Sequence, residues 1–165
     1  MRSGLIFIFL TFAAGLAILL LIAYQLQLIN LCESKRRDAL ADILIVDDEE
    51  VYRDFIAEVV KRMGHTPVLA SDGNEALDTF KRLKISLSIV DIRMPGMNGL
   101  EFLSRIKKTD PAAVIIMMTG FPSADTIVKT IEADGYTYIT KPVQIDYLMD
   151  IIQRGLDAYR NTSLK

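Results

Sequence analysis

Residues 87–99 read LSIVDIRMPGMNG, and this stretch decides the fold. An apolar run rich in strand-forming residues, ISLSIV (85–90), ends at a single carboxylate, Asp91, and a Pro-Gly loop follows at once. This order predicts a buried strand that stops at Asp91 and a chain that then turns sharply away. A single acid at a strand end is common, so Asp91 indicates a functional site only if other strands place reactive side chains at the same edge of the sheet.

The sequence on either side alternates short apolar runs with amphipathic segments. The predicted strands are ILIV (43–46), PVLA (67–70), ISLSIV (85–90), AVIIMMT (113–119) and YTYIT (136–140). The predicted helices cover residues 50–63, 72–83, 99–108, 123–133 and 145–159. Five strands alternating with five helices indicate βαβ units with right-handed crossovers. We therefore expect an α/β fold with a doubly wound, five-stranded parallel sheet.

Polar side chains follow the predicted strands where each one ends. Asp47 and Asp48 follow the first strand, Asp91 the third, Thr119 the fourth and Lys141 the fifth. In open α/β sheets, sites form outside the carboxyl ends of the strands. We therefore expect these five side chains to share one pocket.

Three carboxylates in one pocket repel one another, and a divalent cation relieves that repulsion. Oxygen ligands in a wet, partly open site suit Mg²⁺, which keeps some of its waters and accepts phosphate oxygens. An aspartate beside Mg²⁺, a lysine and a hydroxyl can attack phosphorus and form an aspartyl-phosphate. The metal and the lysine would stabilise charge on the transferred phosphoryl group.

Four segments in this order resemble the receiver domain of two-component response regulators: ILIVDDE, SIVDIRMPGMNGLEFL, IIMMTG and YITKPV. The resemblance runs from about Asp42 to Tyr159. It implies a flavodoxin-like sheet with strand order 2-1-3-4-5. It also implies that the chain is not an enzyme beyond Mg²⁺-dependent self-phosphorylation and autodephosphorylation.

The resemblance assigns roles at the phosphorylation site. Asp91 would be the phospho-acceptor and would also contact Mg²⁺. Asp48 would bind the metal directly, Asp47 through water, and Arg93 through its backbone carbonyl. Lys141 would contact the phosphoryl group, and its peptide bond to the following proline would be cis.

A switch pair is implied as well. Thr119 would move toward the phosphoryl group, and Tyr138 would turn inward to fill the vacated space. The surface of the fourth helix, fifth strand and fifth helix would then change its affinity for a partner. An aspartate-nucleophile phosphatase is disfavoured, because its D-x-D-x-[TV] pattern would need an acid where Arg93 stands.

The amino-terminal segment is apolar in a chain that is 51% hydrophobic overall. No charged residue occurs from Ser3 to Cys32, and thirteen of the residues from Leu5 to Tyr24 are Leu, Ile or Phe. Such a run matches a bilayer core of about 30 Å. Residues 1–32 are therefore predicted to hold an uncleaved transmembrane helix, with residues 4–24 in lipid. A cleaved signal peptide is disfavoured by the length of the run, and a lipoprotein by the bulky Leu31 before Cys32.

The rest of the chain divides into a polar linker (33–41), a receiver domain (42–160) and a tail (161–165). Lys35, Arg36 and Arg37 on one flank outnumber Arg2 and the amino terminus on the other by one positive charge. The positive-inside rule then places the receiver domain on the cytoplasmic side of the inner membrane, on a single-pass anchor.

Charge and length limit the partners. Residues 33–165 hold 18 of the 19 Lys and Arg residues and all 21 Asp and Glu, a net charge of −3. This balance gives no electrostatic support for nucleic-acid binding.

Only about six residues follow the last predicted helix, so we expect no separate output domain. The expected partners are a sensor histidine kinase or phosphotransfer protein and a membrane-associated protein target. A phosphate sink, or a receiver remnant of a hybrid sensor kinase, is the alternative.

Overall fold

The computed structural model describes residues 22–28 and 40–163. Residues 22–28 are helical with exposed side chains and belong to a unit of their own, separate from the unit that begins at Leu40. Most of the predicted membrane helix (4–24) and of the linker (33–41) lies outside the described residues. Within those two described ranges, no helix is both long and apolar enough to cross a membrane.

Five strands and five helices alternate along residues 42–163. The strands are β1 (Asp42–Val46), β2 (Thr66–Ala70), β3 (Leu87–Asp91), β4 (Ile115–Thr119) and β5 (Thr137–Thr140). The helices are α1 (Glu50–Arg62), α2 (Gly73–Arg82), α3 (Gly99–Thr109), α4 (Ala124–Glu132) and α5 (Ile145–Ser163). Every strand pair is parallel, and the order is β2-β1-β3-β4-β5. The predicted flavodoxin-like sheet is confirmed.

The last helix is longer than its sequence pattern predicts. Apolar periodicity ends near Tyr159, but the helix continues to Ser163, so residues 161–163 are helical and not part of a tail. Polar contacts support this last turn: Arg160 pairs with Asp157, and the Thr162 hydroxyl donates to the Ala158 carbonyl. Apolar spacing does not detect a helix end that is held by such pairs.

The core lies on both faces of the sheet. Alternate residues of one strand point to opposite faces, so Ile43 and Ile45 belong to one apolar cluster while Leu44 and Val46 belong to the other. Helices α1 and α5 cover the first face, and α2 and α3 cover the second. Burial on both faces explains why β1, β3 and β4 are almost entirely apolar.

The loop after β3 folds back tightly on Asp91. Gly96 adopts φ +75°, a left-handed conformation that glycine favours. The side chain of Asn98 caps α3 by accepting a hydrogen bond from the Glu101 N–H at 2.9 Å. Gly99 packs so closely that a Cβ there would collide with the Asp91 carbonyl oxygen. The sharp turn after Asp91 therefore depends on two glycines and one helix cap.

The hydroxyl of Ser88 lies in the core without a hydrogen-bond partner. A buried polar group without a partner costs about 1–3 kcal/mol. We expect Ser88→Ala to raise the free energy of unfolding by about 1 kcal/mol, measured by urea denaturation of the full chain. Ser86→Ala, two residues earlier at a partly exposed position, serves as the control and should change stability by less than about 0.5 kcal/mol. A destabilised Ser88→Ala variant would contradict the assignment.

Candidate functional site

Lys141 lies between two buried carboxylates at the carboxyl edge of the sheet. Its Nζ is 2.6 Å from Asp47 Oδ2 and 2.8 Å from Asp91 Oδ1. The side chain of Lys141 is 5% exposed and that of Asp47 is fully buried. A more distant acid, Glu49, lies 3.8 Å from the same ammonium group. The structure therefore places three of the five predicted side chains, Asp47, Asp91 and Lys141, in direct contact, and a fourth, Asp48, lines the same pocket as Asp91 and Lys141.

Strand ends place these three residues. Asp47 directly follows β1, and Asp91 is the last residue of the neighbouring β3. Lys141 directly follows β5, and its N–H donates to the carbonyl of Thr119 at the end of β4 at 2.8 Å. The peptide bond from Lys141 to Pro142 is cis, as the resemblance implied.

Both oxygens of the Asp91 carboxylate have partners. Oδ1 faces Lys141, while Oδ2 accepts a hydrogen bond from the Arg93 N–H at 2.6 Å. Burial raises the pKa of Asp91, and the charge of Asp47 adds to that rise, while Lys141 and the Arg93 N–H oppose it. Burial alone would lower the pKa of Lys141, but the two carboxylates together outweigh it and raise that pKa. Lys141 is therefore held as a cation.

An open pocket of about 400 Å³ lies over Asp91. Its lining residues are Asp48, Glu49, Tyr52, Asp91, Arg93, Gly120, Phe121, Lys141 and Pro142. At the mouth, the Arg93 guanidinium lies 4.6 Å from the centre of the exposed Phe121 ring. The pocket thus exposes Asp91 and Lys141 to a ligand from solvent.

The predicted metal ligands supply only oxygen donors, which suits Mg²⁺. In the described part of the chain, however, no group of three or more Asp, Glu, His or Cys side chains is placed to hold a metal ion. Asp48 is exposed, and Lys141 joins Asp47 to Asp91. The donor atoms thus suit Mg²⁺, but their present placement does not form a metal site. Binding of Mg²⁺ by Asp47, Asp48, Asp91 and the Arg93 carbonyl stays a prediction.

Neither predicted switch residue lines the pocket, although Thr119 directly precedes the lining residues Gly120 and Phe121. Thr119 is fully buried, and its Oγ1 accepts a hydrogen bond from the Phe121 N–H at 3.2 Å. The Tyr138 ring packs against the core under α2 and α3. Its hydroxyl is buried without a partner, and burial raises its pKa. The positions suit a switch pair, whose movement stays a prediction.

Two site residues on α1 were missed from the sequence. The ring centre of Tyr52 lies 4.2 Å from Lys141 Nζ, and Arg53 Nη1 donates to the carbonyl of Asp47 at 2.5 Å. The available signal was their position, since the first turn of the helix after Asp47 and Asp48 must pass close to the end of β1.

Comparison with known families identifies the domain. Residues 43–153 match the family model described as the response regulator receiver domain. The chain belongs to this family. This receiver is 34% identical over 119 residues to sporulation initiation phosphotransferase F of Bacillus subtilis, covering 72% of the chain and 96% of that protein. A CheY-like receiver domain protein from Methanospirillum hungatei has a TM-score of 0.72 and 31% identity, covering 74% of the chain and 98% of that structure.

Other relatives carry more than a receiver domain. The chain is 32% identical over 121 residues to the transcriptional regulatory protein ZraR of Salmonella typhimurium, but covers only 27% of its length. The shared part is the receiver. Receiver domains are phospho-acceptors that interact with histidine kinases or phosphotransfer proteins and typically bind Mg²⁺ at the acidic pocket.

Removing the Lys141 charge should destabilise the fold. Lys141→Met leaves Asp47 and Asp91 buried without their cation, so we expect the free energy of unfolding at pH 7 without Mg²⁺ to fall by about 3 kcal/mol. The deficit should shrink as the pH falls from 7 to 4. The folded variant then takes up a proton on Asp91, whose pKa burial holds above its unfolded value. Urea denaturation across that pH range measures both effects.

Lys129→Met is the matched control, since Lys129 forms an exposed pair with Asp125 on α4. It should cost less than about 1 kcal/mol at every pH. A Lys141→Met variant that behaves like this control would show that the buried ammonium group does not balance the carboxylates.

Proposed function

We propose that this chain is a membrane-tethered response regulator that accepts a phosphoryl group on Asp91 from a histidine kinase or phosphotransfer protein. The observation that carries the proposal is the placement of Lys141 Nζ between Asp47 and Asp91, beneath a pocket open to solvent. A nucleophilic carboxylate beside a fixed cation is the arrangement that phosphoryl transfer to aspartate needs.

In this proposal, Asp91 Oδ1 attacks the phosphorus of a phosphohistidine. The P–N bond breaks, an acyl phosphate forms on Asp91, and the leaving imidazole takes a proton from solvent. Lys141 then pairs with an oxygen of the phosphoryl group. The Arg93 N–H donates to the other Asp91 oxygen and keeps the attacking carboxylate oriented.

Mg²⁺ fits the donors at this edge of the sheet. Asp47, Asp48, Asp91 and the Arg93 carbonyl would hold the ion, which would neutralise charge on the phosphoryl oxygens when bound. In this structure, Lys141 Nζ forms an ion pair with one carboxylate oxygen of Asp47. Asp47 would be available to hold the ion once Lys141 releases that oxygen.

The proposed output is a protein-binding face made of α4, β5 and α5. On α4 the apolar side chains point outward: Ile127, Val128 and Ile131 are exposed, the last by 71%. Among the α4 side chains that the structure describes, Thr130 is the buried one. Exposed apolar side chains on one helix mark an interaction surface. Thr119 and Tyr138 would link this face to the phosphorylated pocket.

The proposed tether is the apolar run of residues 4–24, which would hold the receiver on the cytoplasmic side of the inner membrane. The length and charge-free composition of the run support this proposal. A target in the same membrane would meet the receiver at a raised effective concentration, because both are confined to one surface.

Phosphorylation is tested by incubating the full chain with acetyl phosphate, with and without Mg²⁺, and reading the intact mass. We expect a Mg²⁺-dependent gain of one phosphoryl group. The Asp91→Asn variant, which keeps the shape but lacks the nucleophile, should gain none. No labelling of the wild type under conditions that label another receiver domain would contradict the proposal and favour a binding module without phosphorylation.

The output face is tested by placing a charge in it. Ile131→Asp should change the free energy of unfolding by less than about 0.5 kcal/mol. It should also leave the rate of Asp91 labelling within about twofold of the wild-type rate. We expect it to reduce phosphorylation-dependent crosslinking in isolated membranes by at least about tenfold, with Asp91→Asn setting the baseline. The control Leu83→Asp places the same charge at an exposed apolar position after α2. Equal loss in both variants, or none in Ile131→Asp, would contradict the assignment; no crosslinking in the wild type would favour a phosphate sink.

The tether is tested by cell fractionation. We expect the full chain to sediment with membranes and to resist extraction with alkaline carbonate, because about 20 apolar residues insert favourably. A variant without residues 1–32 should move to the soluble fraction. Extraction of the full chain by carbonate would contradict an integral membrane anchor.

A further inference from the structure

The ring of Tyr52 contacts Lys141 in addition to Asp47 and Asp91, which lie at hydrogen-bond distance, and the more distant Glu49. Tyr52 is the third residue of α1, is half-buried, and lines the pocket over Asp91. The 4.2 Å between Lys141 Nζ and the ring centre lies within the range of a cation–π interaction. None of the residue roles described above uses this ring.

The start of α1 is fixed to the site, so the backbone that carries the ring is held in place. The N–H groups of Tyr52 and Arg53 both donate to the Glu49 carbonyl at 3.1 Å. The Arg53 guanidinium donates to the carbonyl of Asp47. The side chain of Lys141 has no such rigidity, because a lysine ammonium sits on a flexible four-carbon stem.

The contacts of Lys141 differ in how they respond to phosphorylation. Asp91 loses its carboxylate charge when an acyl phosphate forms on it, and Asp47 would turn to the metal site. The Tyr52 ring keeps the same quadrupole throughout. Of Asp47, Asp91 and the Tyr52 ring, the ring is therefore the contact that does not change as the reaction proceeds.

We propose that Tyr52 is a positioning residue, whose ring holds the Lys141 ammonium over the pocket while the carboxylates change partners. The inference rests on the proposed phosphorylation of Asp91 and adds a residue to it. A lysine held in this way is ready to meet a phosphoryl oxygen, whereas a free one would have to be ordered first.

The kinetic test compares two substitutions of Tyr52. Tyr52→Leu keeps an apolar side chain but removes the ring, and Tyr52→Phe keeps the ring but removes the hydroxyl. With acetyl phosphate and saturating Mg²⁺, we expect the Leu variant to be labelled about two- to thirtyfold more slowly, the range that a cation–π contact spans. The Phe variant should stay within about twofold of the wild type. Tyr147→Leu is the control, because Tyr147 is the exposed third residue of α5.

A second readout reports on the contact without any phosphorylation. In the unphosphorylated full chain, the ring current of Tyr52 should shift the ε-CH₂ proton resonances of Lys141 upfield in a ¹H–¹³C NMR spectrum. Lys141→Arg identifies the resonance by its disappearance. The shift should persist in Tyr52→Phe and vanish in Tyr52→Leu, and the remaining lysine resonances show whether each variant is folded.

The outcomes separate the two proposals. Labelling of Tyr52→Leu at the wild-type rate, or equal slowing in Tyr52→Phe, would overturn the positioning role of the ring. An unshifted Lys141 resonance in the wild type would overturn it as well. A wild type that shows the shift but takes up no phosphoryl group would instead overturn the proposed function and leave the ring contact established.

Discussion

The structure depends on the balance of charge between Lys141 and the two carboxylates beside it. Asp47 and Asp91 end neighbouring strands, so the parallel sheet brings them together regardless of their repulsion. Two buried carboxylates without a cation would destabilise the folded state, and one ammonium group from the end of β5 offsets this loss of stability. Because the same three groups would carry out phosphoryl transfer, stability and function share one set of atoms.

The rest of the fold makes these charged side chains accessible to a ligand. Three central strands are buried on both faces, which leaves the carboxyl edge of the sheet as the place where polar side chains emerge. The loop after Asp91 clears the pocket because Gly96 and Gly99 permit a turn that other residues would block. The first turn of α1 closes the opposite side with Tyr52. An apolar scaffold thus places a small group of charges at one edge of the sheet.

Most of the fold was predictable from the sequence, because each buried strand is a short, mainly apolar run and each helix before α5 has apolar residues at helical spacing. The residues at the strand ends were predictable for the same reason, since the topology fixes where strands end. Tyr52 and Arg53 were not, because their roles depend on the angle at which α1 leaves the sheet. The last turn of α5 was missed because polar pairs support it. The sequence predicted a positive charge at Lys141 beside a metal, but not that its Nζ would lie between Asp47 and Asp91 at hydrogen-bond distance from both.

The outward orientation of the apolar residues on α4 affects how the domain deforms. Displacing a helix costs free energy in proportion to the apolar volume it removes from the core. Helices α1, α3 and α5 contribute large aliphatic or aromatic side chains to the core, whereas Thr130 is the buried contribution among the described side chains of α4. Of these four helices, α4 therefore contributes the least apolar volume to the core among its described side chains, and its backbone amides should exchange with solvent earlier than those of α1, α3 and α5. A local charge change worth a few kcal/mol is enough to shift the position of such an element, while the rest of the core stays intact.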